Sequence, residues 1–228
     1  MSCDLVSQKL SNDVLELSDD CTSEQMNSAE MLEKHYDPNH IMWRAAYEGN
    51  LDGVKLMLEE GATDVEWAMK FAAEAGHIHI VKFLSELELD RRGACYDTAL
   101  LVAASKGHTD IVLFLLDKGA KNEFAYATCY AAREGHTDIV KLLLEVNSDR
   151  YIYDILRFAV YGGNIYIVRL VLEKRADIHK TKINDTDAQE EEAWLKNYEA
   201  DKYQDAIRTA TKREYNDIVK LLLEHEIL

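Results

Sequence analysis

The hexapeptide Gly107-His108-Thr109-Asp110-Ile111-Val112 recurs unchanged at Gly135-His136-Thr137-Asp138-Ile139-Val140, 28 residues on. Outward from it the same frame is met six times: AAYEGNLDGVKLMLEEGA from Ala45, AAEAGHIHIVKFLSEL from Ala72, AASKGHTDIVLFLLDKGA from Ala103, AAREGHTDIVKLLLEVNS from Ala131, AVYGGNIYIVRLVLEKRA from Ala159 and ATKREYNDIVKLLLEHEI from Ala210. The first Ala returns after 27, 31, 28, 28 and 51 residues. Each unit reads as two helices. The first ends in Ala-Ala, small enough for a neighbouring helix to approach closely. Gly49, Gly76, Gly107, Gly135 and Gly163 then stop it, because the left-handed position past a helix end suits glycine. Thr109 or Thr137 is expected to cap the second helix, with Asp110 or Asp138 favouring its positive end. The run I-V-x-x-L-L sets apolar residues at i, i+3 and i+4, an amphipathic stripe. One such pair cannot bury its apolar face, but stacked pairs can. The expected fold is an all-α solenoid of antiparallel helix pairs.

Composition agrees. Of 228 residues, 47% are apolar, one is proline and ten are glycine, which excludes disordered, collagen-like and Pro- or Gly-rich classes and argues against a loop-rich all-β protein. Lys and Arg number 26 against 42 Asp and Glu, for a net charge of −16. Such a polyanion disfavours nucleic acid and anionic membranes as partners. No apolar run is long enough to cross a bilayer. The opening MSCDLVSQKLSNDVLELSDD lacks a basic stretch followed by an apolar one, so no signal peptide is expected. Cys3, Cys21, Cys95 and Cys129 are few and far apart, which fits reduced thiols in a cytoplasmic or nuclear protein.

The pattern AAxxGHxxIVxxLLxxGA resembles the ankyrin repeat, over about Asn39 to Leu228. Two departures stand out. The T-P-L-H opening of the family is eroded: the third unit keeps Thr98, Ala99 and Leu100 but has Leu101 for the His, and no unit has the Pro. The regular interval of 28 residues also falls short of the family's 33. The deficit lies between helix pairs, where the family carries a β-hairpin finger, so tight loops and little or no β structure are expected. Shortened, finger-poor repeats of this kind resemble those of large DNA viruses and intracellular pathogens.

Two segments interrupt the frame. Residues 1–38 hold nine acidic and two basic residues and read either as an acidic tail or as an N-terminal capping helix, the latter over Ser28 to His35. Asp37-Pro38 breaks the chain there. Residues 39–228 then form the solenoid of about six repeats. Within it, residues 177–205 carry nine acidic and four basic residues. Asp187-Ala188-Gln189-Glu190 reads as a capping box, and Ala193, Trp194 and Tyr198 follow at helical spacing. An extra helix from about Asp187 to Tyr203, inserted between two repeats, is expected.

Nothing in the chain signals catalysis or a cofactor. GxxxxGK[ST], GxGxxG, HExxH and CxxC are all missing, so neither a phosphate cradle nor a metal site is indicated. His77, His108 and His136 hold the same place in successive units, roughly 8–10 Å apart if helices pack normally, too far to share a metal. They read as structural residues at helix starts. Cys129 reads as a small buried apolar residue, Glu190 to Glu192 as a solvated face, and Trp43, Trp67 and Trp194 as packing anchors. Arg91-Arg92 and Lys212-Arg213 are isolated basic pairs, too few for a nucleic-acid footprint.

What remains is a surface. The resemblance implies a concave groove lined by the two residues between Ala-Ala and Gly and by residues leading into the inner helices. Carried onto this chain, these are Tyr47, Glu48, Glu74, Ser105, Lys106, Arg133, Glu134, Tyr161, Lys212 and Arg213, joined by Tyr96, Asp97, Tyr126, Tyr151 and Tyr153. Tyr and Arg, enriched at interface hot spots, dominate the set. The expectation is a non-enzymatic interaction module, an adaptor or scaffold, binding another protein in the groove. If the viral or pathogen style holds, that partner is a host regulator and the site of action the host cytoplasm. The chain is expected to be a monomer. The alternatives are a structural component that self-associates through the C-terminal repeat, where LLLEHEIL ends at Leu228, and an enzyme subunit with an unrecognised active site.

Overall fold

A computed structural model describes residues 37–87, 92–120, 124–146, 151–182 and 191–225. The expected capping helix at Ser28 to His35, the capping box at Asp187 and the terminal Ile227 and Leu228 lie outside them. Twelve helices follow one another in six pairs among the described residues, and no strand occurs there. The pairs are α1 (Pro38–Glu48) with α2 (Leu51–Glu59), α3 (Val65–Ala75) with α4 (Ile78–Glu86), and α5 (Arg92–Lys106) with α6 (Thr109–Asp117). They continue with α7 (Phe124–Glu134) and α8 (Thr137–Val146), α9 (Ile152–Gly162) and α10 (Ile165–Lys182), and α11 (Glu191–Lys212) and α12 (Asn216–His225).

The alanines decide the packing. Ala45-Ala46, Ala72-Ala73, Ala103-Ala104 and Ala131-Ala132 are buried, and they let the first helix of each pair lie close against its predecessor. The second helices meet their own partners through Ile80-Val81, Ile111-Val112, Ile139-Val140 and Ile167-Val168, all buried, but touch one another far less. A stack with one close row and one spread row curves toward the close row, so the odd-numbered helices form the concave side. Leu84, Leu115 and Leu143 are fully buried between the rows. Each such side chain contributes about 1.5–3 kcal/mol relative to exposure.

Gly107 shows how each pair turns. Its φ is +86°, and Gly49, Gly76, Gly135 and Gly163 share that left-handed state. In the sixth pair Glu214 fills the same place at φ +60°, a strain of roughly 1–2 kcal/mol for a residue with a Cβ.

The expected threonine caps do not form. His108 is the N-cap of α6 and makes no side-chain cap bond, while Thr109 and Thr137 are already the first helical residues. The His ring is used across the joint instead. Nε2 of His77, His108 and His136 lies 2.9, 3.0 and 3.0 Å from the carbonyl oxygens of Tyr47, Glu74 and Ser105 in the preceding pair. Each ring occupies the space a Cβ would take on Gly49, Gly76 or Gly107. Where Asn stands in place of His, the side chain does cap: Asn50 Oδ1 accepts from the Gly53 amide at 2.9 Å, and Asn164 Oδ1 from Tyr166 at 3.1 Å.

Two further expectations are corrected. Pro38 opens α1 rather than standing outside it; Pro suits a first helical position, where no intrahelical N–H bond is lost. The inserted helix is also not a separate element: α11 runs unbroken for 22 residues, from Glu191 through Tyr203 to Lys212. Its 177–182 flank likewise belongs to α10, which overruns its counterparts. Gly61 and Gly119, at φ +93° and +88°, follow α2 and α6; the matching position here is Arg175, inside α10.

Candidate partner-binding face

Each of α3, α5, α7 and α9 touches a neighbour on both sides and its own partner behind, and α1 and α11 a neighbour on one side, which leaves one stripe outward. Counting from the first Ala of each unit, positions −5, −1, +2 and +3 fall on that stripe. Tyr47, Glu48, Lys106, Tyr126, Arg133, Glu134, Tyr161, Lys212 and Arg213 are exposed there, Glu74 and Ser105 are half-buried, and Tyr151 is exposed at the start of α9. Glu74 pairs with Lys106 at 3.3 Å, linking α3 to α5, and Arg133 with Glu134 at 2.7 Å.

Tyr96, Asp97 and Tyr153 do not line the groove: each is 5% exposed. The reason is helical register. α5 begins at Arg92, so Tyr96 and Asp97 are inside the helix, at positions −7 and −6, and Tyr153 is at −6 in α9. Those positions point into the stack. The Tyr96 hydroxyl donates to the Ser85 carbonyl at 3.3 Å. The Tyr153 hydroxyl accepts from Arg175 Nε at 3.1 Å.

The stripe also carries residues that the +2 and +3 rule leaves out. Position −1 holds Phe71, Tyr130 and Phe158, and position −5 holds Trp67. All are legible as the same 3.6-residue stripe once it is continued back from the alanines. Trp67 is 43% exposed, which corrects its reading as a packing anchor. Trp43 does anchor: its Nε1–H donates to the Asp64 carbonyl at 3.2 Å. Around it Trp67 and Phe71 lie with centroids 5.9 and 6.2 Å away, and Tyr47 meets Phe71 edge-on at 6.5 Å.

Cations sit on these rings. Lys70 Nζ is 4.1 Å from the Trp67 centroid, Arg133 is 5.4 Å from Tyr130, Arg157 5.7 Å from Phe158 and Arg213 3.8 Å from Tyr161. A hydrogen bond to the Tyr215 side chain raises the Arg213 pKa further, so this guanidinium stays charged throughout. Tyr130 and Phe158 pack edge to face at 5.9 Å, joining α7 to α9. Gly162 makes that approach feasible, since a Cβ on it would collide with the Arg133 carbonyl.

The His77 and His79 rings are 5.8 Å apart, but Nε2 of each faces a carbonyl, of Tyr47 and Gly49. No three His, Cys, Asp or Glu side chains converge on a metal-sized site among the described residues. The Cys95 and Cys129 thiols are unpaired and buried away from the face, and burial pushes Cys129 up to about 12. No described helix is long and apolar enough to cross a membrane.

A family description of ankyrin repeats, three copies long, matches residues 41–125 and 121–182, more than half of the sequence. The match takes in the first five helix pairs with their glycine turns and their stacked alanine rows. The chain belongs to the ankyrin-repeat family.

Proposed function

We propose that this chain is a non-enzymatic adaptor or scaffold that seats a protein partner along its concave face. Ankyrin repeats generally serve as protein–protein interaction modules, and the family is typically non-enzymatic. The observation that carries the reading is the run of exposed aromatic side chains on one stripe: Tyr47, Trp67, Tyr126 and Tyr161. None is needed to close the core, and aromatic rings flanked by Arg and Lys are the composition of interface hot spots. The two unpaired buried thiols fit a reducing compartment, the cytoplasm or nucleus.

The test is site-specific photocrosslinking in a cell lysate. A benzophenone side chain replaces Tyr130 on the inner stripe, or Leu113, which is exposed on α6 in the outer row. A discrete protein adduct from position 130 and none from position 113 is the expected result. Equal labelling from both positions, or labelling only from 113, overturns the reading.

A further inference from the structure

The two ends of the stripe differ in one respect that points to a partner chemistry. In the first two helix pairs, residues 37–87, nine carboxylates face four Lys or Arg side chains. Arg44 pairs with Glu48 at 3.5 Å. The other three cations lie over rings instead: Lys55 over Phe83 at 5.4 Å, Lys82 over Phe114 at 5.7 Å and Lys70 over Trp67 at 4.1 Å. Of these rings only Trp67 is both exposed and on the concave stripe. It is backed by Trp43 and Phe71, with Tyr47 at the edge of Phe71.

An ammonium over an indole face is held by the ring quadrupole, and Trp is the best of the aromatic partners. Lys70 is also 5.9 Å from the Phe71 centroid, so its charge rests between two ring faces. Its own backbone supplies it, and its long stem can swing away at little cost. The platform thus already binds the kind of group that a basic partner would present. The excess of carboxylates over these two pairs favours the same sign of charge.

We propose that the Trp43, Trp67, Phe71 and Tyr47 surface docks a Lys or Arg side chain from a basic segment of the protein partner, and that Lys70 is an internal occupant which the partner displaces. The proposal rests on the groove-binding reading above and narrows it to one end of the groove and one charge type.

The sign of the Lys70 effect makes it testable. The probe is a fluorescein-labelled peptide of alternating Lys and Gly-Ser steps, titrated with the full chain at physiological salt and read by anisotropy, with the Glu counterpart as control. The Lys peptide binds and the Glu peptide does not. Trp67→Leu keeps apolar bulk but removes the ring face, and weakens binding by about fivefold, the size of one solvent-exposed cation–π contact. Lys70→Gln removes the competitor and tightens binding by about threefold. Lys82→Gln makes the same charge change on α4, away from the platform, and leaves affinity within a factor of about 1.5, as expected for a screened distant charge. Circular dichroism confirms the helical fold of each variant, and Phe71→Leu replaces Trp67→Leu should the latter not fold. Unchanged binding in Trp67→Leu, or weaker binding in Lys70→Gln, overturns the proposal. So does a Lys peptide that fails to bind while position 130 still crosslinks a partner, a result that leaves the groove-binding reading standing. Loss of crosslinking at position 130 as well takes both down.

Discussion

The joints among the first four helix pairs and the joint before the last one solve the same problem by different means. In the first set, a ring three residues before the Ile-Val step sits on the left-handed glycine of the preceding unit and reaches one carbonyl: His77 over Gly49, His108 over Gly76 and His136 over Gly107. The code is short, local and repeated. At the last joint Tyr215 covers Gly163, but the weight falls on Arg175. Its guanidinium lies 5.4 Å from the Tyr153 ring and 4.7 Å from the Tyr203 ring, and it donates to the His225 carbonyl at 3.2 Å. Tyr203 in turn donates to the Leu222 carbonyl at 2.6 Å. Four helices, α9 to α12, meet there. A repeated unit is joined by the ring-on-glycine rule alone, whereas the interrupted one keeps that contact through Tyr215 and adds Arg175 as a hub.

The largest expected effect lies between the two sets, at the joint of the fourth and fifth pairs. Gly162→Ala drives a Cβ into the Arg133 backbone carbonyl, which cannot swing aside, and lowers unfolding free energy by about 3 kcal/mol in urea titration. Arg175→Met comes next, at about 2–3 kcal/mol, because it strips charged hydrogen bonds from the Tyr153 hydroxyl and the His225 carbonyl. Amide exchange localises that loss: α12 loses protection while α3 to α8 keep theirs. Uniform loss along the stack would erase the distinction between the two kinds of joint. His136→Ala opens one rule-made joint and leaves the Ser105 carbonyl without its ring partner, for about 1–2 kcal/mol. Glu214→Gly restores the usual residue at a positive φ and raises stability by about 1 kcal/mol.

Cys129 acts only at high pH. Burial raises its thiol from 9.0 to about 12, so the folded chain keeps a proton that the unfolded chain loses. The stabilisation is fully present below pH 9 and fades as pH approaches 12. Relative to Cys129→Ala, the native chain therefore loses up to about 1.4 kcal/mol per pH unit in that window, and nothing at neutral pH. Urea midpoints of both chains across the window check it; parallel pH profiles would contradict it.

What was legible in the sequence follows the same division. The six helix pairs could be placed from Ala-Ala, Gly and I-V-x-x-L-L because each is a local signal within one unit. The use of His108 and His136 was not, since a ring that bridges two units looks in sequence like a residue before a cap. Tyr96, Asp97 and Tyr153 look like groove residues in sequence, but α5 and α9 start early enough to turn them inward. A shift of two residues, about half a turn of helix, moves a side chain from the stripe to the core. Trp67 failed in the opposite sense: apolar bulk suggested burial, and only its position five before Ala72 tells otherwise. The fusion of the inserted segment with α11 has its signal in the run itself: residues 191–212 hold neither Gly nor Pro, so nothing stops the helix between the acidic segment and the last unit.

That fusion has a mechanical consequence. An α-helix of 22 residues is a rod about 33 Å long. One end of α11 is Glu191, in the acidic segment that interrupts the repeats; the other is Lys212, beside Arg213 and its stack on Tyr161. A load applied at the first end is delivered to the second along one continuous backbone, with no loop between them to absorb it. Asp154 on α9 holds the shaft through Lys202 at 3.1 Å, about midway along, and so acts as the fulcrum. The interruption in the repeats is thus one arm of a lever whose other, nearly equal arm carries the last residues of the groove.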